Sequence, residues 1–193
     1  LMSTHPPDVR PVEVESEDLA AIYFTGGTTG QPKGVMLSHR AWTYTYVTEI
    51  LDFGIEWGEV FVFPTPLTHA GGCLILPVLL RKGRCVIIDH FDPGLLLETL
   101  EREAATATLL VPTMIYVLLD FPALGQYRLD SLRNILYGAA SIAPDRLKQA
   151  LDHFGPVFTQ FFGQTEAPMA MSALTRTEHL NSDKKRERML LSS

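Results

Sequence analysis

The chain has 193 residues, of which 46% are hydrophobic and 20% charged, with a formal net charge of −6. It can bury a core as one domain or a large subdomain, and its acidic balance argues against nucleic acid, whose phosphates demand a basic surface. Its two cysteines, Cys73 and Cys85, lie in apolar contexts without CxxC spacing, so they read as buried thiols of a reducing, cytoplasmic compartment.

Taken in chain order, residues 1–18 are proline-rich, then acidic, and read as an N-terminal linker without the basic and apolar regions of a signal peptide. A strand is predicted near 20–25 and a helix over 39–53, where Ser38 can cap it, Trp42, Tyr46, Ile50 and Phe53 recur at helical spacing, and Gly54 can end it. A strand near 60–63 opens a nearly uncharged stretch. Pro64, Pro66, Pro77 and the Gly71-Gly72 pair break that stretch and exclude a membrane span. A helix over 71–82 comes next, then strands near 85–89, 107–111, 134–138 and 157–161, and a shorter one near 169–172. Helices are predicted over 94–105, 113–120 and 145–154, the last with Pro144 at its first turn. The αβ subdomain so defined runs from 19 to 175. Residues 176–193 form a charged helical tail that stops after Met189-Leu190-Leu191 as though cut in mid-fold.

Repeated βα alternation predicts an α/β fold, a mostly parallel sheet flanked by helices. Ligands of such sheets bind outside the carboxyl ends of the strands. The segments Thr25–Lys33, Pro64–Gly72, Pro112, Gly138–Ala140 and Phe162–Glu166 each come directly after a predicted strand, which would gather every unusual loop on one edge.

The loop Thr25-Gly26-Gly27-Thr28-Thr29-Gly30-Gln31-Pro32-Lys33-Gly34 concentrates glycines, threonine hydroxyls and one ammonium. Glycine backbones can turn their N–H groups inward on a polyphosphate, with hydroxyls as further donors. It is not a Walker loop, because Pro32 precedes the lysine and Gly34 comes after it. Nor is it a dinucleotide fingerprint, because Val35-Met36-Leu37 resumes an extended pattern. It therefore joins two strands.

This loop closely resembles the signature of the adenylate-forming superfamily, the acyl- and aryl-CoA synthetases, luciferases and peptide-synthetase adenylation domains. Three further segments resemble that family in order: Pro66-Leu67-Thr68-His69-Ala70-Gly71-Gly72, Asn134–Ser141 around Gly138-Ala139-Ala140, and Gln160-Phe161-Phe162-Gly163-Gln164-Thr165-Glu166. Three departures stand out: Gly26 where serine is usual, Ala139 for a second glycine, and Phe162 where tyrosine is common.

The resemblance implies ATP, Mg²⁺ and coenzyme A as partners of a carboxylic acid in forming an acyl-adenylate and then a thioester. It implies that Lys33, Thr165, Glu166 and His69 serve catalysis. Thr25, Gly26, Gly27, Thr28, Thr29, Gly30, Lys33 and Thr165 would hold the nucleotide's phosphates, and Gly138, Ala139, Ala140, Phe161, Phe162 and Gly163 its adenine side. Glu166 and Thr25 would hold magnesium, an ion of oxygen ligands and phosphates. His69, Met114, Ala139 and Phe161 would wall the acid, with Phe161 shortening the pocket and Tyr116 a further candidate. No acid lies between Pro64 and Leu80, so an acid without an α-amine, fatty or aromatic, is expected.

The family's downstream Thr-Gly-Asp, hinge arginine and C-terminal lysine have no counterpart here. A fragment inactive by itself is therefore expected, with self-association through surface the missing parts would cover. Two other readings are a non-catalytic nucleotide-binding or self-associating module and an ATP hydrolase.

Overall fold

The computed structural model describes residues 12–25 and 32–180, and the chain divides into two compact units, Leu1–Tyr44 and Thr45–Ser193. The boundary falls inside a helix, and each unit is built from its own sheet.

In the first unit, β1 (Leu19–Thr25) and β2 (Lys33–Ser38) pair antiparallel, in a register that ends on Thr25 opposite Lys33. The expectation that the first strand joins the large parallel sheet is therefore corrected. Only seven residues separate Thr25 from Lys33, too few for the crossover a parallel neighbour requires, so the strand turns back on its successor in a two-stranded sheet. Ser38 Oγ then accepts from Ala41 N at 3.3 Å and caps α1 (His39–Asp52), as its position predicted. Gly54, at φ +65°, lies just past the end of that helix.

The second unit carries a six-stranded sheet in the order β4-β3-β5-β6-β7-β8. Its strands are β3 (Val60–Phe63), β4 (Arg84–Ile87), β5 (Ala107–Leu110), β6 (Asn134–Tyr137), β7 (Phe158–Gln164) and β8 (Ala167–Leu174). The first five run parallel and β8 returns antiparallel. Connecting helices are α2 (Ala70–Cys73), α3 (Ile75–Leu80), α4 (Pro93–Arg102), α5 (Pro112–Leu119) and α6 (Pro144–Phe154), with α7 (Arg176–Leu180) after the sheet. The single helix expected over 71–82 is broken at Leu74. Pro77 has no N–H to donate to the carbonyl of Cys73, and the chain restarts its helix with Val78 N on Leu74 O at 3.1 Å. Proline is instead tolerated at the starts of α4, α5 and α6.

Alternation along the strands sends two apolar sets to opposite faces. Val62, Leu110, Ile135, Tyr137 and Phe158 pack with Leu96, Leu97 and Leu100 of α4, Ile115 and Leu118 of α5, and Leu147 and Ala150 of α6. The other face presents Phe61, Phe63, Leu109, Leu136 and Phe161, all buried. The end of α1 lies over this face, because Phe53 meets the Phe161 ring at 5.7 Å and the Phe53 carbonyl accepts from Asn134 Nδ2 at 2.6 Å.

The amino-terminal edge of the sheet is tied by charge. Buried Glu59 accepts from Glu56 N and Thr106 Oγ1 and pairs with Arg133 at 3.2 Å, while Arg133 also pairs with Glu56. The carboxyl edge is thereby left to loops. No helix among the described residues is long and apolar enough to cross a membrane.

Candidate functional site

At the carboxyl edge of the six-stranded sheet, β6 runs into the Gly138–Ser141 loop, and β7 and β8 form a hairpin turning at Thr165-Glu166. Between them lies a cavity of 540 Å³, lined by residues 139–141, 160–163 and 172–174. That volume falls within the usual range for a small-molecule pocket.

Close backbone packing shapes its wall. A Cβ on Gly138 would stand 2.8 Å from the Phe161 ring, and one on Gly163 would run into the backbone of Met169. Only glycine lets β6 and the hairpin approach so nearly. Ala139 holds φ +67°, a left-handed conformation an alanine occupies only under local constraint.

The two phenylalanines of β7 divide as their alternation requires. The Phe161 ring is buried against Phe53, under Gly138, whereas Phe162 is 60% exposed and offers a free face at the cavity. Thr165 is half-buried and Glu166 exposed at the hairpin turn. Glu166 takes part in no ion pair among the described residues. The described residues also contain no group of three or more His, Cys, Asp or Glu that could hold a metal by protein ligands alone. A single free carboxylate fits magnesium in the manner that ion prefers, with one protein oxygen and the rest from phosphate and water.

His69 is exposed and immediately precedes α2. Its carbonyl accepts from Gly72 N at 3.0 Å, and its imidazole makes no cap bond. Met114 packs against the core beneath α4–α6 and does not line the cavity. Tyr116 is likewise committed, its hydroxyl accepting from Ala143 N at 2.7 Å with Arg146 over its ring.

In the other unit, Thr25 and exposed Lys33 form the last pair of the hairpin, and Thr25 Oγ1 donates to Lys33 O at 3.4 Å. The predicted phosphate-binding residues Gly26, Gly27, Thr28, Thr29 and Gly30 lie outside the described residues.

Two polar residues with no assigned part emerge from the structure. Glu49 on α1 is fully buried with neither carboxyl oxygen hydrogen-bonded, and burial pushes its pKa up to about 9. A signal was available, because Trp42, Tyr46, Glu49 and Phe53 fall at i, i+4, i+7 and i+11, which puts a carboxyl in the apolar stripe. His179, for which the sequence suggested no partner, is buried on α7 and lies 2.9 Å from the hydroxyl of Tyr137. No short-range spacing announces a pair 42 residues apart.

Known proteins share both the sequence pattern and this fold. The model of the AMP-binding enzyme family matches residues 2–189. A medium/long-chain-fatty-acid–CoA ligase of Mycobacterium tuberculosis is 38% identical over 176 residues, covering 90% of this chain and 30% of that protein. A feruloyl-CoA synthase of an Amycolatopsis species is 35% identical over 173 residues, covering 89% of this chain and 34% of its own length. Among solved structures, the amide bond synthetase McbA of Marinactinospora thermotolerans superposes with a TM-score of 0.85 at 34% identity, over 98% of this chain and 37% of that one. The chain thus spans about a third of the length of the relatives it matches.

Proposed function

Because this chain belongs to the AMP-binding enzyme family, we propose that it is the ATP- and carboxylate-binding portion of an acid–CoA ligase. In the first step a substrate carboxylate oxygen forms a bond to the α-phosphorus of ATP while the bond to pyrophosphate breaks. In the second the acyl-adenylate passes its acyl group to the thiol of coenzyme A and AMP leaves. Such chemistry asks a protein mainly for positioning and for charge where charge develops.

Each unit has its own share. The hairpin unit brings the Lys33 ammonium and, from the sequence between its strands, the Thr28 and Thr29 hydroxyls, donors suited to the departing pyrophosphate. In the sheet unit the exposed face of Phe162 is suited to stacking on a base next to the Gly138–Ala140 loop. Thr165 can donate to the α-phosphate, and Glu166 would hold magnesium. When bound, that ion offsets negative charge on the phosphates. Phe161 and Ala139 wall the space left for an acid, with His69 as a candidate at its entrance. The acid is of fatty or aromatic type, since the Pro64–Leu80 segment offers no carboxylate to an α-amine.

The observation that carries the reading is the cavity at the carboxyl edge, with a free aromatic face on its wall and a free carboxylate at the turn of the hairpin that lines it. Calorimetric titration of Mg·ATP into the chain and into Lys33→Ala tests it. Loss of a charge-assisted bond, worth about 1.5–3 kcal/mol, should weaken binding by roughly tenfold or more. Equal affinities would remove Lys33 from the phosphate site. In the whole protein, pyrophosphate release must depend on added carboxylic acid; acid-independent phosphate release would identify a hydrolase instead.

A further inference from the structure

The buried seam between α1 and the sheet holds polar atoms that adenylation and thioester formation leave idle. Glu49 is 0% exposed, and both its carboxyl oxygens lack a hydrogen-bond partner. Asn134, 2% exposed, spends its amide N–H on the Phe53 carbonyl and leaves its Oδ1 unpartnered. Buried polar atoms are nearly always satisfied in folded proteins, and each exception requires a reason.

The location supplies one. Glu49 stands one helical turn before Phe53 on the same face of α1, and the Phe53 amide closes that turn on the Glu49 carbonyl at 3.1 Å. A helical side chain leans toward the helix amino terminus, so the Glu49 carboxyl is directed back along α1, away from its carboxyl end. The Phe53 ring meets Phe161 at 5.7 Å, and Phe161 lines the cavity. An aromatic pair therefore stands at the wall of the cavity, and one helical turn before Phe53, α1 carries a buried carboxyl with open hydrogen-bonding capacity.

Resting on the acid-ligase reading, we propose that Glu49 is a specificity-determining residue that receives an uncharged hydrogen-bonding group, such as a phenol or a terminal hydroxyl, at the end of the substrate remote from its carboxylate. Burial keeps Glu49 protonated, so its O–H can donate to that hydroxyl and its carbonyl oxygen can accept from it. A carboxylate would be disfavoured by the cost of burying its charge in the seam, whereas a purely apolar end would leave Glu49 as unsatisfied as it is now. A site built around an open hydrogen-bonding group discriminates against the analogue that lacks the matching group. The Phe53–Phe161 pair is the element that must yield for the longer acid to reach it.

Binding of 4-hydroxycinnamate and of cinnamate to the full chain tests this in the wild type, Glu49→Leu and Glu49→Gln. Wild type should bind the hydroxylated acid at least about tenfold tighter. Glu49→Leu should lose that preference while still binding cinnamate, which also reports that the variant is folded. Glu49→Gln, which keeps a donor and an acceptor, should retain most of it. Equal affinities in the wild type, or a preference that survives in Glu49→Leu, would overturn the proposal while leaving the acid-ligase reading in place. Binding of neither acid would overturn the proposal, and the acid-ligase reading would then be decided separately by acid-dependent pyrophosphate release in the whole protein.

Discussion

A carboxyl buried without a partner holds its proton far above the range of a free glutamate, and Glu49 lowers the stability of the fold in a way that grows with pH. Its pKa is raised from 4.5 to about 9, with burial as the cause. Below pH 4.5 the group is protonated in both folded and unfolded chains and has no effect on the balance. Between 4.5 and 9 the unfolded chain ionises while the folded one keeps its proton, so Glu49 lowers stability progressively, by up to about 1.4 kcal/mol per pH unit. Above 9 the loss levels off. Glutamine cannot ionise, so Glu49→Gln should gain stability over wild type as pH rises from about 5 to about 8, read from urea midpoints at the two pH values. A gap that stays constant would mean Glu49 is charged or paired in the folded chain. At this scale the sequence marked positions better than environments. Glu166 was legible as exposed turn chemistry with Thr165 half-buried beside it. Phe162 is exposed but belongs to β7, which runs past its predicted end at 161, and Met114 and Tyr116 answered to packing that only the fold reveals.

Elements were legible wherever a local rule set them. Ser38, Gly54, Pro112 and Pro144 place helix ends because caps and missing donors act within one turn. The loop after β1 does join two strands, but that they stand apart from the large sheet was missed because pairing depends on how far the chain can reach. The split between α2 and α3 was missed because Pro77 acts through a carbonyl four residues earlier. The tie between α7 and β6 was not legible at all. His179 Nδ1 faces its own helix at the Thr175 carbonyl, 2.8 Å away. A carbonyl can only accept, so Nδ1 carries a proton, and in the neutral ring Nε2 accepts from Tyr137. Both side chains are buried, and desolvation raises the Tyr137 pKa, keeping the phenol protonated as a donor. Tyr137→Phe removes that hydrogen bond, with an expected cost of about 0.5–1.5 kcal/mol and release of α7 from the strand that leads into the Gly138–Ser141 loop. Equilibrium unfolding measures the cost, and the ¹⁵N shifts of His179 report the tautomer. A variant as stable as wild type with an unchanged imidazole would show that the bond contributes nothing.

For the whole molecule, the two units differ in how deeply their backbones are held. Strands β5 and β6 are buried along their entire length, with neighbours on both sides and helices packed on the α4–α6 face. In the β1–β2 sheet Leu19, Ile22, Phe24 and Met36 remain exposed, and each strand has one neighbour. Amides of β5 and β6 should therefore exchange with solvent only through global unfolding, while those of β1 and β2 exchange through local opening that leaves the large sheet intact. The contrast bears on function, because the segment that resembles a polyphosphate loop connects the two less protected strands in sequence. A ligand that binds only the closed hairpin shifts its opening equilibrium by mass action, by about 2.7 kcal/mol at a concentration one hundred times its Kd. Mg·ATP at that level should slow exchange in β1 and β2 by about a hundredfold, and the same concentration should have a smaller effect in Lys33→Ala. Hydrogen exchange read by mass spectrometry resolves these peptides separately. Hairpin amides that exchange as slowly as those of β6 without nucleotide would show one cooperative unit where two are expected. Hairpin amides that stay fast with saturating nucleotide would show that ATP, if bound, is not held by this loop.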